Sequence, residues 1–431
     1  MYKDYKIPSQ PLAKSESASH AADTRKWKIL AFLFAAGALN YADRTAITSV
    51  FPLLRRDLAI SDVGLAAIGS LFLWSYAFMS PVAGVIADRI SRSRLIAISL
   101  AAWSLVTAAT GLVTDSSQLF TLRVLLGLSE CIYLPAAIGL LADYHGSDTR
   151  ATALGIHSGG LTMGMVAGGT AAGFLADRVG WRPCFLLLGV IGVILAAVAA
   201  VWLRDAPASD RERTSSEPLR VTIAALVGTP SYGVILAEAG LIALSMWVFA
   251  NWLPLYFRET YGLTLAAAGF SGTFALTAGA TLGVLMGGYV SDRVSRGNAR
   301  RRLLMLSLSY AVSAPILLMF LTRPAVGALG FAILMHAFVR SLGSANELPL
   351  ICELLPPQCR GTAFGLLNAL NTFIGGSGVF LSGLLMGRFG LTQIFVALAG
   401  VVLVASLIAL AGYRWVLPKD LTHKSGQGFL A

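Results

Sequence analysis

"GVIADRISRSR", residues 84–94, returns in the second half of the chain as "GGYVSDRVSRGNARRR", 287–302. Both copies contain Gly-x-x-x-Asp-Arg-x-x-Arg, and both close a long apolar run. The same charged motif closing two such runs indicates that the chain is built twice. Working outward, "RATALG" (150–155) matches "RGTAFG" (360–365), and "GFLADRVGWRPCF" (173–185) has a looser echo in "GLLMGRFGLTQIF" (383–395). The longest polar interruption after the N-terminus, "RDAPASDRERTSSEPLR" (204–220), separates the halves and reads as a Pro/Ser-rich charged linker.

Of the 431 residues, 56% are hydrophobic and 13% charged, where a soluble domain carries roughly 25% charged residues. Apolar runs of about 20 residues, long enough to cross a bilayer as helices, recur throughout. We place spans at 27–54, 62–87, 95–113, 117–142, 151–176, 183–203, 231–257, 264–290, 303–322, 325–352, 361–386 and 392–413. The expected fold is an all-α polytopic membrane protein with twelve transmembrane helices in two pseudo-symmetric six-helix bundles. A tail (1–26) precedes the first bundle (27–203), a linker (204–230) joins it to the second (231–415), and a tail (416–431) follows. Residues 1–26 lack the short apolar core and small-residue cleavage site of a signal peptide, so the first span is expected to be retained.

The net charge of +11 reflects topology. With both termini on one side, 23 Lys/Arg fall on that side, 7 on the other and 3 within spans. The positive-inside rule then places both termini in the cytoplasm, and nothing calls for nucleic acid as a partner. Cys131, Cys184, Cys352 and Cys359 have no metal-ligand spacing. No Asn-x-Ser/Thr sequon occurs, which favours a bacterial source and its inner membrane. Neither a phosphate-binding loop nor a metal cluster is legible, so we expect no cofactor, no metal and no enzyme activity. Repeated halves are the architecture of alternating-access transporters, with substrate held between them near the midplane.

The doubled motif after spans 2 and 8, on a 6+6 frame, resembles the major facilitator superfamily over essentially all of the chain after residue 26. Arg123 and Gly127 in "LRVLLGLSE" (122–130) resemble its span-4 motif. Within the superfamily, "NYADR" (40–44) and "GLSECIYLPA" (127–136) resemble two branches, the anion:cation symporters of organic acids and the Spinster-like lipid transporters. Drug antiporters of the superfamily carry Gly-Pro-x-x-Gly-Gly in span 5. Here "GMVAGG" (164–169) has Met165 in place of the proline, which weakens that reading. The resemblance also implies that Asp88, Arg89, Arg92, Asp292 and Arg293 act as a charge-relay latch. It implies further that spans 5 and 8 meet across the halves. Glycines at 155, 159, 160, 164, 168, 169 and 173, and at 279, 283 and 287, would let backbones approach closely; fixed packing, rather than a ligand role, is the favoured reading of that spacing.

Seven charged residues fall well inside the spans: Asp43, Arg44, Arg123, Glu130, Glu238, Arg340 and Glu347. Each costs roughly 2.5–3.5 kcal/mol at mid-bilayer, so each must face the protein interior or a wet cavity. Asn40, Asp43 and Arg44 share one helix face, and Arg123, Gly127 and Glu130 form another stripe with Tyr133 one turn on. A structural ion pair is the bland alternative for each. By resemblance, Arg44 holds substrate and Asp43 and Glu130 carry protons, with Arg44 the counter-charge of its neighbour Asp43. Arg123 is grouped with the conformational residues. Asn40, Tyr41, Tyr133, His157, Trp247, Asn251 and Asn371 are the further substrate-site candidates, although histidines such as His157 are more often core residues. Glu238, Arg340 and Glu347 receive no role. The leading expectation is a monomeric proton-driven symporter of a small organic anion. The alternatives are a Spinster-like exporter of lysolipid or amphipathic anion, and a membrane sensor that binds without transporting.

Overall fold

Proline positions decide where several spans break. In the computed structural model, which describes residues 12–146, 148–206, 219–296 and 298–421, the first span comprises α1 (Leu12–Ser49) and α2 (Phe51–Asp57), with Pro52 at the start of α2. The side chains of residues 12–23, Asp88 and Leu219 lie outside that description. The fourth span divides into α5 (Ser116–Glu130) and α6 (Tyr133–Tyr144), the latter carrying Pro135. The tenth divides into α13 (Val326–Ser344) and α14 (Glu347–Leu354), the latter carrying Pro349. α12 (Ala299–Ser313) tightens at Pro315 into a 3₁₀ turn over Ala314–Thr322. Proline lacks an N–H and disfavours helical geometry in the residue before it, so a break settles just upstream.

The remaining elements are α3 (Asp62–Arg89), α4 (Arg92–Thr110), α7 (Arg150–Val179), α8 (Arg182–Trp202), α9 (Leu219–Val227), α10 (Pro230–Tyr261), α11 (Leu265–Ser295) and α15 (Pro357–Ala411). No strand occurs among the described residues. α9 is a short helix inside the segment expected to be linker, of which residues 207–218 lie outside the described residues. Ten of these segments are long and apolar enough to cross a membrane. The count of twelve adds α1, whose hydropathy is lowered by Asn40, Asp43 and Arg44. It also takes α15 as two spans, because Gly390 (φ 76°, ψ 163°) leaves helical geometry inside it.

The N-terminal half packs α1 on α7, α4 on α8 and α3 on α5; the C-terminal half packs α10 on α15 and α11 on α13. Trp103, Tyr133 and Phe185 are buried in the first half, and Phe249, Tyr256, Phe320 and Phe395 interlock in the second. The halves touch along α7–α11 and α3–α15. Their polar contacts lie from mid-span to the face opposite the chain ends, the distal face. Ser70 Oγ donates to the Gly376 carbonyl at 2.8 Å and Trp74 Nε1 to Ser377 Oγ at 3.2 Å. At the distal end Arg55 pairs with both Asp62 and Glu259, and Asp177 accepts from the backbone N–H groups of Leu265 and Ala266 at the start of α11.

Spans 5 and 8 meet across the halves as the resemblance implies, and the glycine stripes mostly serve packing within each half. Gly160, Gly164 and Gly168 admit α1 of their own half, and Gly279, Gly283 and Gly287 admit α13 of theirs. Only Gly169 and Gly173 reach across, against Gly269 and Leu265 of α11. Close packing within each half therefore accounts for most of the stripe, and the two crossing glycines lie about one helical turn apart.

Candidate functional site

The break after Glu130 ends α5 in the middle of the membrane and leaves that carboxylate facing α1. Arg44 Nε donates to Glu130 Oε2 at 2.8 Å. The guanidinium also lies over three rings, Tyr41 at 4.7 Å, Tyr76 at 4.9 Å and Phe72 at 5.1 Å. Aromatic faces attract a cation that water does not reach, so Arg44 is held by a cage of π-clouds and one carboxylate. Its side chain retains 10% exposure, whereas that of Glu130 has none.

This corrects the expected partnership of Arg44 with Asp43. Successive helical residues point about 100° apart, and Asp43 turns toward α4, where Thr107 Oγ1 donates to its Oδ2 at 3.1 Å. Asp43 Oδ1, Glu130 Oε1 and Asn40 Nδ2 have no hydrogen-bond partner among the described residues. Arg123 is buried beside them, with Nη2 donating to Thr110 Oγ1 at 3.1 Å, and has Asp43 and Glu130 as its charged neighbours. Two acids and two arginines thus balance inside the N-terminal half.

A cavity between the halves opens onto this cluster. Tyr41, Arg44, Thr45 and Thr48 of α1, Phe72 of α3 and Arg123 of α5 line one wall; Trp247 and Asn251 of α10 and Val379 of α15 line the other. Among the expected site residues, Arg44, Tyr41, Arg123, Trp247 and Asn251 therefore meet at one cavity, with Asn40, Asp43 and Glu130 immediately behind its wall. Tyr133 and His157 do not join them. Tyr133 Oη donates to the Leu33 carbonyl at 2.9 Å and lies 3.2 Å from His157 Nε2, and both residues are buried in the N-terminal core. Asn371 also stands off the lining, with its Oδ1 unpartnered.

The latch residues are held within each half. Arg92 Nη1 donates to Asp143 Oδ2 and to the Gly139 carbonyl, both at 2.6 Å. In the other half the corresponding cation is Arg302, bonded to Asp292 at 3.0 Å, Glu353 at 2.8 Å and Ser291 at 2.7 Å. Arg293, expected in this role, instead stacks on Tyr289 of its own helix at 4.0 Å. Arg89 is exposed. The side chain of Asp88 lies outside the described residues.

Sequence reasoning assigned no role to Asp177, Arg55, Glu259 or Arg302. The "ADR" triplet at 176–178, repeating that at 87–89, was the available signal for Asp177. Asp57, at the distal end of α2, is held below the usual carboxylate range by the Arg56 guanidinium beside it and by Trp181 Nε1, which donates to it at 3.1 Å.

A family model described as Major Facilitator Superfamily matches residues 33–334 and 239–429. The chain belongs to the major facilitator superfamily. It is similar to the hexuronate transporter of Bacillus subtilis (strain 168), with 25% identity over 91% of this chain and 96% of that protein. It is also similar to protein spinster homolog 1 of Xenopus tropicalis, with 28% identity over 81% of this chain and 70% of that one. A solved bacterial homologue of the human lysosomal transporter Spinster, in an inward-facing and unoccupied conformation, superimposes with a TM-score of 0.78. At 20% identity, over 92% of this chain and 98% of that one, it supports the fold. This member of the superfamily is an integral membrane transporter homologous to anion transporters and to Spinster proteins.

Proposed function

We infer that this transporter is a proton-coupled symporter of a small organic anion, working by alternating access from an inner membrane with both termini cytoplasmic. The observation that carries the reading is Arg44, a permanent cation on the cavity wall whose ion partner, Glu130, is a proton-binding group. A planar guanidinium suits two-point recognition of a carboxylate. When a substrate carboxylate takes Arg44, Glu130 loses its counter-charge, and a proton on Glu130 replaces it. Substrate and proton then favour each other's binding, a coupling that is reciprocal by thermodynamic necessity. Asp43, with its free Oδ1 beside Arg123, serves as the second proton carrier, and Asn40 borders Glu130. The B. subtilis relative supplies the substrate class to test first, a hexuronate.

The test is uptake of D-glucuronate by purified protein in liposomes under an imposed proton gradient, with the internal pH followed at the same time. Accumulation accompanied by proton entry is expected. Accumulation without proton movement would defeat the coupling, and no binding of any sugar acid would defeat the substrate class. A second reading has its own support: apart from its arginines, much of the cavity wall is apolar, including Ile47, Ile68, Phe72, Leu73 and Val379. Such a wall also suits an amphipathic anion, so lysophosphatidate belongs in the same assay as the competing substrate.

A further inference from the structure

The C-terminal half holds a second group of buried charges that the transport reading leaves unused. Glu238, in the third turn of α10, is 0% exposed. Neither of its carboxylate oxygens has a hydrogen-bond partner of normal geometry among the described residues. Its electrostatic neighbours are Glu347, the first residue of α14, and Tyr310 of α12. Tyr310 Oη donates to Glu347 Oε1 at 3.0 Å, so the phenol stands between the two acids. Arg340 of α13 is the cation beside Tyr310 and Glu347, and its Nη2 donates to Ser341 Oγ at 3.0 Å. His336 lies next to Arg340, with Nδ1 donating to the Ser313 carbonyl at 3.0 Å. No charged side chain of α11 or α15 is among these neighbours.

The cluster holds two carboxyl groups and one guanidinium, and Arg340 neighbours Glu347 and Tyr310 while Glu238 has only Glu347 and Tyr310 beside it. With both ionised the group is one negative charge in excess, and an uncompensated buried charge is strongly unfavourable. One proton on the pair brings it to neutrality. The four oxygens of the two acids and the phenol hydroxyl between them also provide a place to keep that proton and a way to pass it on. We propose that Glu238 and Glu347, bridged by Tyr310, form a second proton-binding site in the C-terminal half, separate from Glu130 and Asp43.

The positions suggest the route. Glu347 is half-buried and sits where the tenth span breaks, whereas Glu238 is sealed. A proton from water binds Glu347. Tyr310, whose hydroxyl donates to Glu347 in this structure, first turns its O–H toward Glu238; the Glu347 O–H then gives its proton to the Tyr310 oxygen while Tyr310 gives its own to Glu238, one O–H bond forming as another breaks at each step. Both clusters lie beside a broken span, Glu130 just before the gap at Cys131–Ile132 and Glu347 just after the gap at Ala345–Asn346. Loading the second site changes the charge at the joint of the tenth span. Its part in the transport cycle rests on the proton-coupled reading; its ability to bind a proton does not.

The experiment is an infrared pH titration of the full-length protein in liposomes, without substrate, in the stretching region of protonated carboxyl groups. Wild type should retain one protonated carboxyl at neutral pH that disappears in Glu238→Gln and, measured separately, in Glu347→Gln. It should persist in Glu130→Gln. An identical carboxyl signal in wild type and either of the first two variants overturns the site, so misfolding of one variant leaves the other decisive. D-glucuronate uptake on the same samples separates the two claims. A lost signal with uptake that ignores the proton gradient supports the second site and defeats symport. An unchanged signal with proton-driven uptake defeats the second site alone.

Discussion

The two halves share a fold and each buries a cluster of charge, but the clusters are composed differently. In the N-terminal half Asp43 and Glu130 face Arg44 and Arg123, and both arginines reach the cavity wall. In the C-terminal half Arg340 is the one cation and neighbours Glu347 but not Glu238, none of the three lines the cavity, and a tyrosine stands between the acids. The first cluster can lend a cation to a visiting anion because an acid is ready to be neutralised in exchange. The second has no cation to lend and one acid too many, which suits holding a proton. On the two proposals above, the repeated halves provide two scaffolds with two electrostatic tasks.

The largest expected effect tests that division directly. Arg44→Ala removes the cation from the cavity and leaves Glu130 buried without its partner, a change worth about 3–5 kcal/mol. D-Glucuronate uptake should fall below detection. Adding Glu130→Gln should restore thermal stability but not uptake, and Arg44→Lys should remain weak because the planar fork is gone. Arg340→Ala should destabilise comparably while leaving the affinity of surviving protein close to wild type. Equal loss of affinity in Arg44→Ala and Arg340→Ala would erase the distinction between the clusters.

The next effect concerns coupling. Two protons entering with a monoanion carry one net charge inward, and 100 mV then adds roughly 2.3 kcal/mol, about a fiftyfold accumulation. Glu130→Gln mimics the protonated state. It should still exchange labelled for unlabelled D-glucuronate in counterflow, yet fail to concentrate it when only the gradient drives uptake. Uphill uptake by this variant removes Glu130 from the proton path; loss of both activities makes it a substrate or structural residue.

The comparison also shows what could be read from sequence. All seven buried charges stood out because a charge in a twenty-residue apolar run is costly, and the doubled motif with the spacing of apolar runs disclosed the architecture. Their partners did not stand out. Arg44 finds Glu130, 86 positions away, because a helix turns Asp43 aside, and only packing fixes which faces meet. Tyr310 was invisible because a tyrosine in an apolar span looks like core. Tyr133 failed in the opposite direction: it lies one turn from Glu130, yet its hydroxyl donates to the Leu33 carbonyl and meets His157 inside the N-terminal bundle, where that histidine is the core residue such histidines more often are. Arg302 takes the role expected of Arg293 because it lies in the first turn of the following helix, as Arg92 does in the first half, and so faces the acids at that end of the bundle.

A smaller effect distinguishes the two faces of the molecule. A Cβ at Gly173 would lie 2.3 Å from the Leu265 carbonyl oxygen, and one at Gly269 would lie 2.3 Å from that of Gly169. Backbone cannot yield as a flexible side chain does, so Gly173→Ala or Gly269→Ala should disfavour this closed distal seam by about 1–3 kcal/mol. Cysteines placed on the distal ends of α7 and α11 should label faster with a membrane-impermeant reagent in these variants. By contrast Gly159 has nothing within 4 Å of an added Cβ, and Gly159→Ala should leave the labelling rate unchanged.

The smallest effect should come from the polar ties at the same distal end. Asp177 caps α11 from the opposite half, at 3.2 and 3.1 Å from two N–H groups, and a lost helix cap typically costs about 0.5–2 kcal/mol. Arg55 and Glu259 are each more than a third exposed on their side chains or nearly so, 35% and 43%, and exposed pairs contribute about 0–1 kcal/mol. Asp177→Ala should therefore open the distal seam measurably, and Arg55→Ala barely. Salt separates the two further. Screening weakens an exposed ion pair, so the difference between wild type and Arg55→Ala should vanish at high ionic strength, while that between wild type and Asp177→Ala should largely persist because its bonds run to partly buried backbone. Equal labelling rates for the two variants at both ionic strengths would mean that glycine packing alone holds the distal side shut, and that the polar residues there merely decorate it.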